Sequence, residues 1–201
     1  MCIRDRYDDG AYGREVLEGD IHTANQQAAG LPTRSNAKTF IYGFLYGAGD
    51  AKIGSIIGKG AKEGKKIKNK FLAKTPALKK LRDAVNKAAE RGWIKGLDGR
   101  RIPVRHAHAA LNTLLQSAGA IICKRWYVLI AEALQANGYT NEEVTIVAFV
   151  HDEVQVQVKK GLEEKVGELI TNAMRDTERY YKFRCPLDSE YSVGANRADT
   201  H

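Results

Sequence analysis

The 201 residues are 43% hydrophobic, enough for a buried core and for one or two domains, and 32 basic against 24 acidic side chains leave a formal charge of +8, which suits a polyanionic partner. No apolar run approaches the length of a membrane span, and Met1–Arg6 lacks the apolar segment of a secretory signal. The three cysteines, Cys2, Cys123 and Cys185, are an odd set with no close pairing, which argues against a disulfide framework or a zinc site and fits a reducing cytosol.

In chain order, residues 1–6 match nothing downstream, Tyr7–Tyr12 follows, and Gly13–Glu18 reads as a short helix. Gly19-Asp20-Ile21-His22-Thr23 is a turn leading into a helix start, with His22 a lone histidine. Pro32-Thr33 then introduces a longer helix, for which Thr33 suits the N-cap. In that helix Arg34, Lys38, Tyr42 and Tyr46 are spaced four apart and climb one side, about 6 Å per step. Ala37, Phe40, Ile41 and Phe44 fall on the other side and pack inward. Two cations near a helix N-terminus suit an oligophosphate, and two phenol rings beyond them suit a sugar and base, so the face reads as a surface for a nucleoside triphosphate. It reads equally as a basic amphipathic helix with surface tyrosines.

Gly47-Ala48-Gly49 punctuates the chain, and residues 50–91 read as helices. Six lysines between Lys59 and Lys70 form either a solvated face or a phosphate contact, and Pro76 opens a helix through Leu78, Leu81 and Val85. From Trp93 to Arg105 the period changes, and Asp98-Gly99 between short apolar runs signals a hairpin. Residues 107–137 read as one long helix with Leu111, Leu114, Leu115, Ala118 and Ile122 as its stripe. His108, Asn112 and Gln116 share one face of it; uncharged amides there suit the acceptors of a DNA minor groove, or are simply surface amides.

Gly138 ends that helix. Val144–Val150 reads as a buried strand and Val154–Val158 as an alternating one, with His151-Asp152-Glu153 between them. The hairpin holds a carboxylate at a tight turn, but neighbouring strand residues point to opposite faces, so Asp152 and Glu153 are not assumed to share one metal. Gly161–Thr177 reads as an amphipathic helix and Pro186–Val193 as a strand.

Taken together these segments resemble the family A, Pol I-like, DNA polymerases, and most closely their phage replicative branch. The resemblance is carried by GDIHT (19–23), RSNAKTFIYGFLYGAGDAKIG (34–54), WIKGLDGRRIPVR (93–105), AALNTLLQSAGAIICK (109–124) and VHDEVQVQV (150–158), and covers residues 7 to about 190. It implies an α+β fold, with a helical fingers subdomain inserted in an incomplete antiparallel-sheet palm: a palm remnant over 1–31, fingers over 32–91 and C-terminal palm over 92–201. It implies template-directed DNA synthesis in a phage-host or bacterial cytoplasm, with primer-template DNA and dNTPs as partners, two Mg²⁺ ions as cofactors and no membrane. In this likeness Asp152 is a catalytic metal ligand, Glu153 sits beside the metals and His151 lies near the primer end. His22, Arg34 and Lys38 hold the phosphates, and Lys38 donates a proton to the leaving pyrophosphate. Tyr42 stacks at sugar and base, Tyr46 gates the template position, Asn112 and Gln116 check minor-groove acceptors, and Arg105 touches the DNA backbone.

The family's first palm motif, with a second catalytic aspartate, would lie just before Tyr7, where Asp5 sits in no matching pattern. The resemblance therefore implies a C-terminal portion that works with a preceding palm and thumb. Two other readings stay open: a catalytically dead primer-template-binding module, and a single-subunit RNA polymerase relative, which the His-Asp-Glu triplet and the tyrosine spacing fit less well.

Overall fold

The computed structural model describes residue 14 and residues 18–200. The expectations for Tyr7–Tyr12, for Asp5, and for most of the 13–18 helix lie outside the described residues. The chain divides between Ser117 and Ala118 into two compact units.

The first unit is mostly helical: α1 (Ile21–Ala29), α2 (Arg34–Leu45), α3 (Asp50–Ser55), α4 (Ala61–Lys74) and α5 (Pro76–Ala89) precede a short hairpin, β1 (Trp93–Lys95) and β2 (Arg101–Pro103). The local signals act as expected. Thr33 caps α2 by accepting from the Asn36 amide, Pro76 opens α5, and Gly99 (φ +87°) turns the hairpin so that Ile94 pairs with Ile102. Ala37, Phe40, Ile41 and Phe44 of α2 are all buried. Phe71 of α4 meets Phe40 and Phe44 edge-on, with ring centroids 5.1 and 5.3 Å away, and these three rings anchor the unit's core. Helices α3 and α4 approach backbone to backbone: a Cβ on Gly64 would sit 1.9 Å from the Asp50 carbonyl oxygen, and one on Gly54 would sit 2.1 Å from that of Gly60. Lys68 secures this contact, with Nζ 2.9 Å from Asp50 and donating to the Ala48 carbonyl at 3.1 Å.

A 3₁₀ turn at Ala107–Ala109 leads into α6 (Ala110–Ala136), so the expected long helix opens with a tighter first turn. By length and composition residues 107–136 are long and apolar enough to cross a membrane, which corrects the expectation that no such run exists. Some of its apolar residues serve cores: Leu111 and Leu114 in the first unit, Trp126, Ile130 and Leu134 in the second.

The second unit continues with β3 (Val144–Val150), β4 (Glu153–Val158) and α7 (Glu163–Tyr181). The strands pair antiparallel, with a register break between Ile146 and Ala148 that leaves Val147 as the extra residue. Trp126, Ile130, Val144, Val166 and Met174 form the core, and the Trp126 indole donates to the Ile170 carbonyl at 3.0 Å. Two expectations are corrected here. Only Val144 of β3 is buried; Val147 is 56% exposed, and Phe149 and Val150 are exposed too, because this sheet has two strands among the described residues and one open face. Residues 186–193 form no strand, since no neighbouring strand pairs with them among the described residues. They are tied to α7 by side chains: the Leu187 amide donates to the Glu178 carboxylate, and the Tyr191 ring lies where a Cβ on Gly167 would be, 2.4 Å away.

Candidate functional site

The burial of one side of α2 forces its other side outward. Arg34 and Lys38 are exposed, and Tyr42 and Tyr46 are 51% and 56% exposed. Lys38 has no ion-pair or hydrogen-bond partner among the described residues, so its ammonium is available to an anion. Arg34 is not idle. Its Nε donates to Asp20 Oδ2 at 2.7 Å and its Nη2 to Asp20 Oδ1 at 3.2 Å, a bidentate grip across a turn of chain.

Asp20 is also the N-cap of α1. Its Oδ1 accepts from the amides of His22 (3.0 Å) and Thr23 (3.4 Å), and the Thr23 hydroxyl donates to Oδ2 at 2.8 Å. The Arg34 guanidinium and then the Thr23 hydroxyl hold the Asp20 carboxyl well below the usual carboxylate range. His22 is half-buried, and its Nδ1 has no hydrogen-bond partner among the described residues. Asp20 therefore joins two residues singled out for phosphate binding, and it was missed because aspartate before a helix reads only as a cap.

At the other end of α2 the Gln116 side-chain amide donates to the Tyr46 hydroxyl at 3.0 Å, across 70 residues of sequence. Gly47 follows with φ +80°, and a Cβ there would sit 2.4 Å from the His108 carbonyl oxygen. The absence of a side chain at Gly47 lets the end of α2 lie against the turn that begins α6. His108 stacks on His106 with centroids 5.5 Å apart. Arg105 is exposed and Asn112 half-buried on the same stretch. Of the six lysines from 59 to 70, Lys68 is spent on the α3–α4 tie and Lys66 pairs with Glu63 at 2.7 Å; the other four are exposed.

In the second unit, Val150 pairs with Glu153, so His151 and Asp152 form a two-residue loop at the tip of the hairpin. His151 is left-handed (φ +55°), a region histidine enters more readily than most side chains. Both loop residues are exposed. Glu153 is half-buried in the strand and accepts from the Gln155 side chain at 2.6 Å. Burial, and then the nearby Asp152 charge, push the Cys123 thiol up. The tip offers a cation one open carboxylate, and no group of three His, Cys, Asp or Glu able to hold a metal exists among the described residues. Asp152 thus fits as a single ligand and not as a complete site.

The family model for DNA polymerase family A matches residues 15–199. The chain is 48% identical over an alignment 215 positions long to the DNA-directed DNA polymerases of Enterobacteria phage T3 and of Escherichia phage T7, in each case with 98% of this chain and 30% of the relative covered. It is 27% identical to DNA polymerase I of Pseudomonas aeruginosa, covering 96% of this chain and 23% of that protein. The chain thus spans about a third or less of the length of these relatives. Among solved structures, the polymerase domain of Pol1 from M. smegmatis in complex with DNA primer-template and dNTP aligns with a TM-score of 0.76 at 22% identity, over 94% of this chain and 36% of that one. That likeness shows a shared fold of helices and small antiparallel sheets.

Proposed function

The chain belongs to DNA polymerase family A, and from that premise we propose that it supplies the nucleotide-binding and minor-groove elements of template-directed DNA synthesis, with transfer of a nucleotidyl group from a dNTP to a primer 3′-hydroxyl. The observation that carries this reading is the α2 face: two cations and two tyrosines exposed in order above a wholly buried opposite side. Residues 32–91 act as fingers and 92–201 as the C-terminal palm, with 1–31 a further part of the palm. The chain works in the cytoplasm that holds the replicating DNA.

In this reading His22, Arg34 and Lys38 neutralise the triphosphate, and Lys38, unpartnered among the described residues, protonates the leaving pyrophosphate. Tyr42 stacks at the sugar and base. Tyr46 gates the template position, and its hydrogen bond to Gln116 links that gate to the residue that inspects the minor groove. Asn112 and Gln116 donate to minor-groove acceptors, Arg105 contacts the DNA backbone, and His151 lies near the primer end. Asp152 would hold a Mg²⁺ ion with Glu153 beside it, and a bound pair of such ions would supply activation of the attacking hydroxyl and charge stabilisation at the leaving group.

Because the described residues present one open carboxylate at the tip, residues 1–201 alone should not extend a primer with Mg²⁺ and all four dNTPs. Supplying the polymerase region that precedes the matched part in a relative should restore extension, and Asp152→Ala should abolish it. Extension by the purified chain alone would overturn this assignment of the site. The same single carboxylate favours a second reading, a primer-template-binding module without chemistry; DNA binding with no extension in the supplemented mixture would select it.

A further inference from the structure

The Asp20–Arg34 pair is at first sight in the wrong place. A carboxylate beside a guanidinium meant for phosphates repels the ligand and cancels part of the attraction. As a source of stability the pair is also poor, because both side chains are about half exposed and such pairs add little. Its geometry suits another role. Asp20 takes the Nε edge and one hydrogen of Nη2, which leaves the outer fork, Nη1 with the remaining Nη2 hydrogen, unoccupied among the described residues. The same carboxylate is locked in turn by the His22 and Thr23 amides and the Thr23 hydroxyl at the start of α1. Arg34 opens α2, so its long side chain is tethered at both ends to helix termini.

We propose that Asp20 is a positioning residue for nucleotide binding: it presets the Arg34 guanidinium so that the outer fork meets a triphosphate without first having to be ordered. This rests on the reading of the α2 face as a triphosphate surface. Ordering a long side chain in advance removes a cost that binding otherwise bears, and the water-screened repulsion from Asp20 is the smaller effect.

The test is equilibrium binding of dGTP and of dGMP, each with Mg²⁺, to the full chain carrying Asp20→Asn, Arg34→Ala or both, with thermal melts alongside. Asparagine caps a helix as well as aspartate, so the melt should not move. Asp20→Asn should weaken dGTP by roughly two- to tenfold and leave dGMP unchanged. Arg34→Ala should weaken dGTP at least as much, and the double variant should lose no more than Arg34→Ala alone, since Asp20 acts through Arg34. Unchanged or tighter dGTP binding by Asp20→Asn, or additive losses in the double variant, would overturn the positioning role while leaving the nucleotide reading intact. Equal affinity of the wild-type chain for dGTP and dGMP, or no loss in Arg34→Ala, would overturn the nucleotide reading and the proposal with it.

Discussion

At the scale of single residues, charge and backbone conformation do different work in the first unit. Asp20 carries a carboxyl depressed by the Arg34 guanidinium and the Thr23 hydroxyl. A carboxyl depressed in this way stays ionised below the ordinary value, near 3.9, until pH falls through its lower folded value, with little stability at stake because the group is exposed. The link between α1 and α2 should therefore persist in mild acid: the Asp20 carboxyl carbon signal in NMR should stay flat from about pH 7 to about pH 4. A titration midpoint near 4 would show that the pair does not form in solution. Gly47 tests conformation instead. At φ +80°, with the His108 carbonyl oxygen 2.4 Å from any added Cβ, Gly47→Ala meets both strain and a backbone clash. Urea unfolding should show a loss of about 1–3 kcal/mol, and dGTP-independent loss of the Tyr46–Gln116 hydrogen bond should accompany it. A neutral effect would mean that the α2 end does not lie against the turn before α6.

Between elements, glycine decides how closely helices approach. Gly64 of α4 lies against the backbone of α3, where a Cβ would overlap the Asp50 carbonyl oxygen. Backbone atoms cannot step aside as a flexible side chain can, so Gly64→Ala should cost about 1–3 kcal/mol by overpacking. Gly119 of α6 is exposed, with nothing within 4 Å of a built Cβ. There the same substitution should stabilise by about 0.5–1 kcal/mol through helix propensity and a less flexible unfolded chain. Opposite signs in chemical denaturation support this reading of the α3–α4 contact; equal signs count against it. The β3–β4 hairpin shows the complementary case. Its apolar residues Val147, Phe149 and Val150 are open, so hydrophobicity in the strand does not itself report burial.

For the whole chain the net charge of +8 bears on the proposed DNA partner. Exposed Lys59, Lys62, Lys65 and Lys70 stand on or next to α4, while Lys68 is committed to Asp50. Binding to primer-template DNA should weaken as salt rises, because each phosphate contact releases condensed counterions. Fluorescence anisotropy across a salt series should give a negative slope of log affinity against log salt. Lys62→Ala with Lys65→Ala should make that slope shallower by about two contacts, whereas Lys68→Ala should chiefly lower stability. A flat salt response would remove the electrostatic account of DNA binding.

The sequence by itself determined what depends on spacing along one element. The α2 face was legible because a four-residue repeat of Arg34, Lys38, Tyr42 and Tyr46 has one geometric outcome on a helix, with Phe40 and Phe44 driven inward by the hydrophobic effect. The Asp98-Gly99 turn, the Pro76 start and the His151-Asp152 tip were legible for the same local reason. Whether Val144–Val150 is covered, and whether residues 186–193 join a sheet, was not legible, because a strand's burial and pairing depend on neighbours that its own pattern does not name. Only the tertiary structure brought Asp20 to Arg34 and Gln116 to Tyr46. Both are contacts between separate helices or their caps, and their partners are chosen by core packing: the Phe40, Phe44 and Phe71 rings fix where α2 lies, and its polar side chains meet whatever that placement brings within reach.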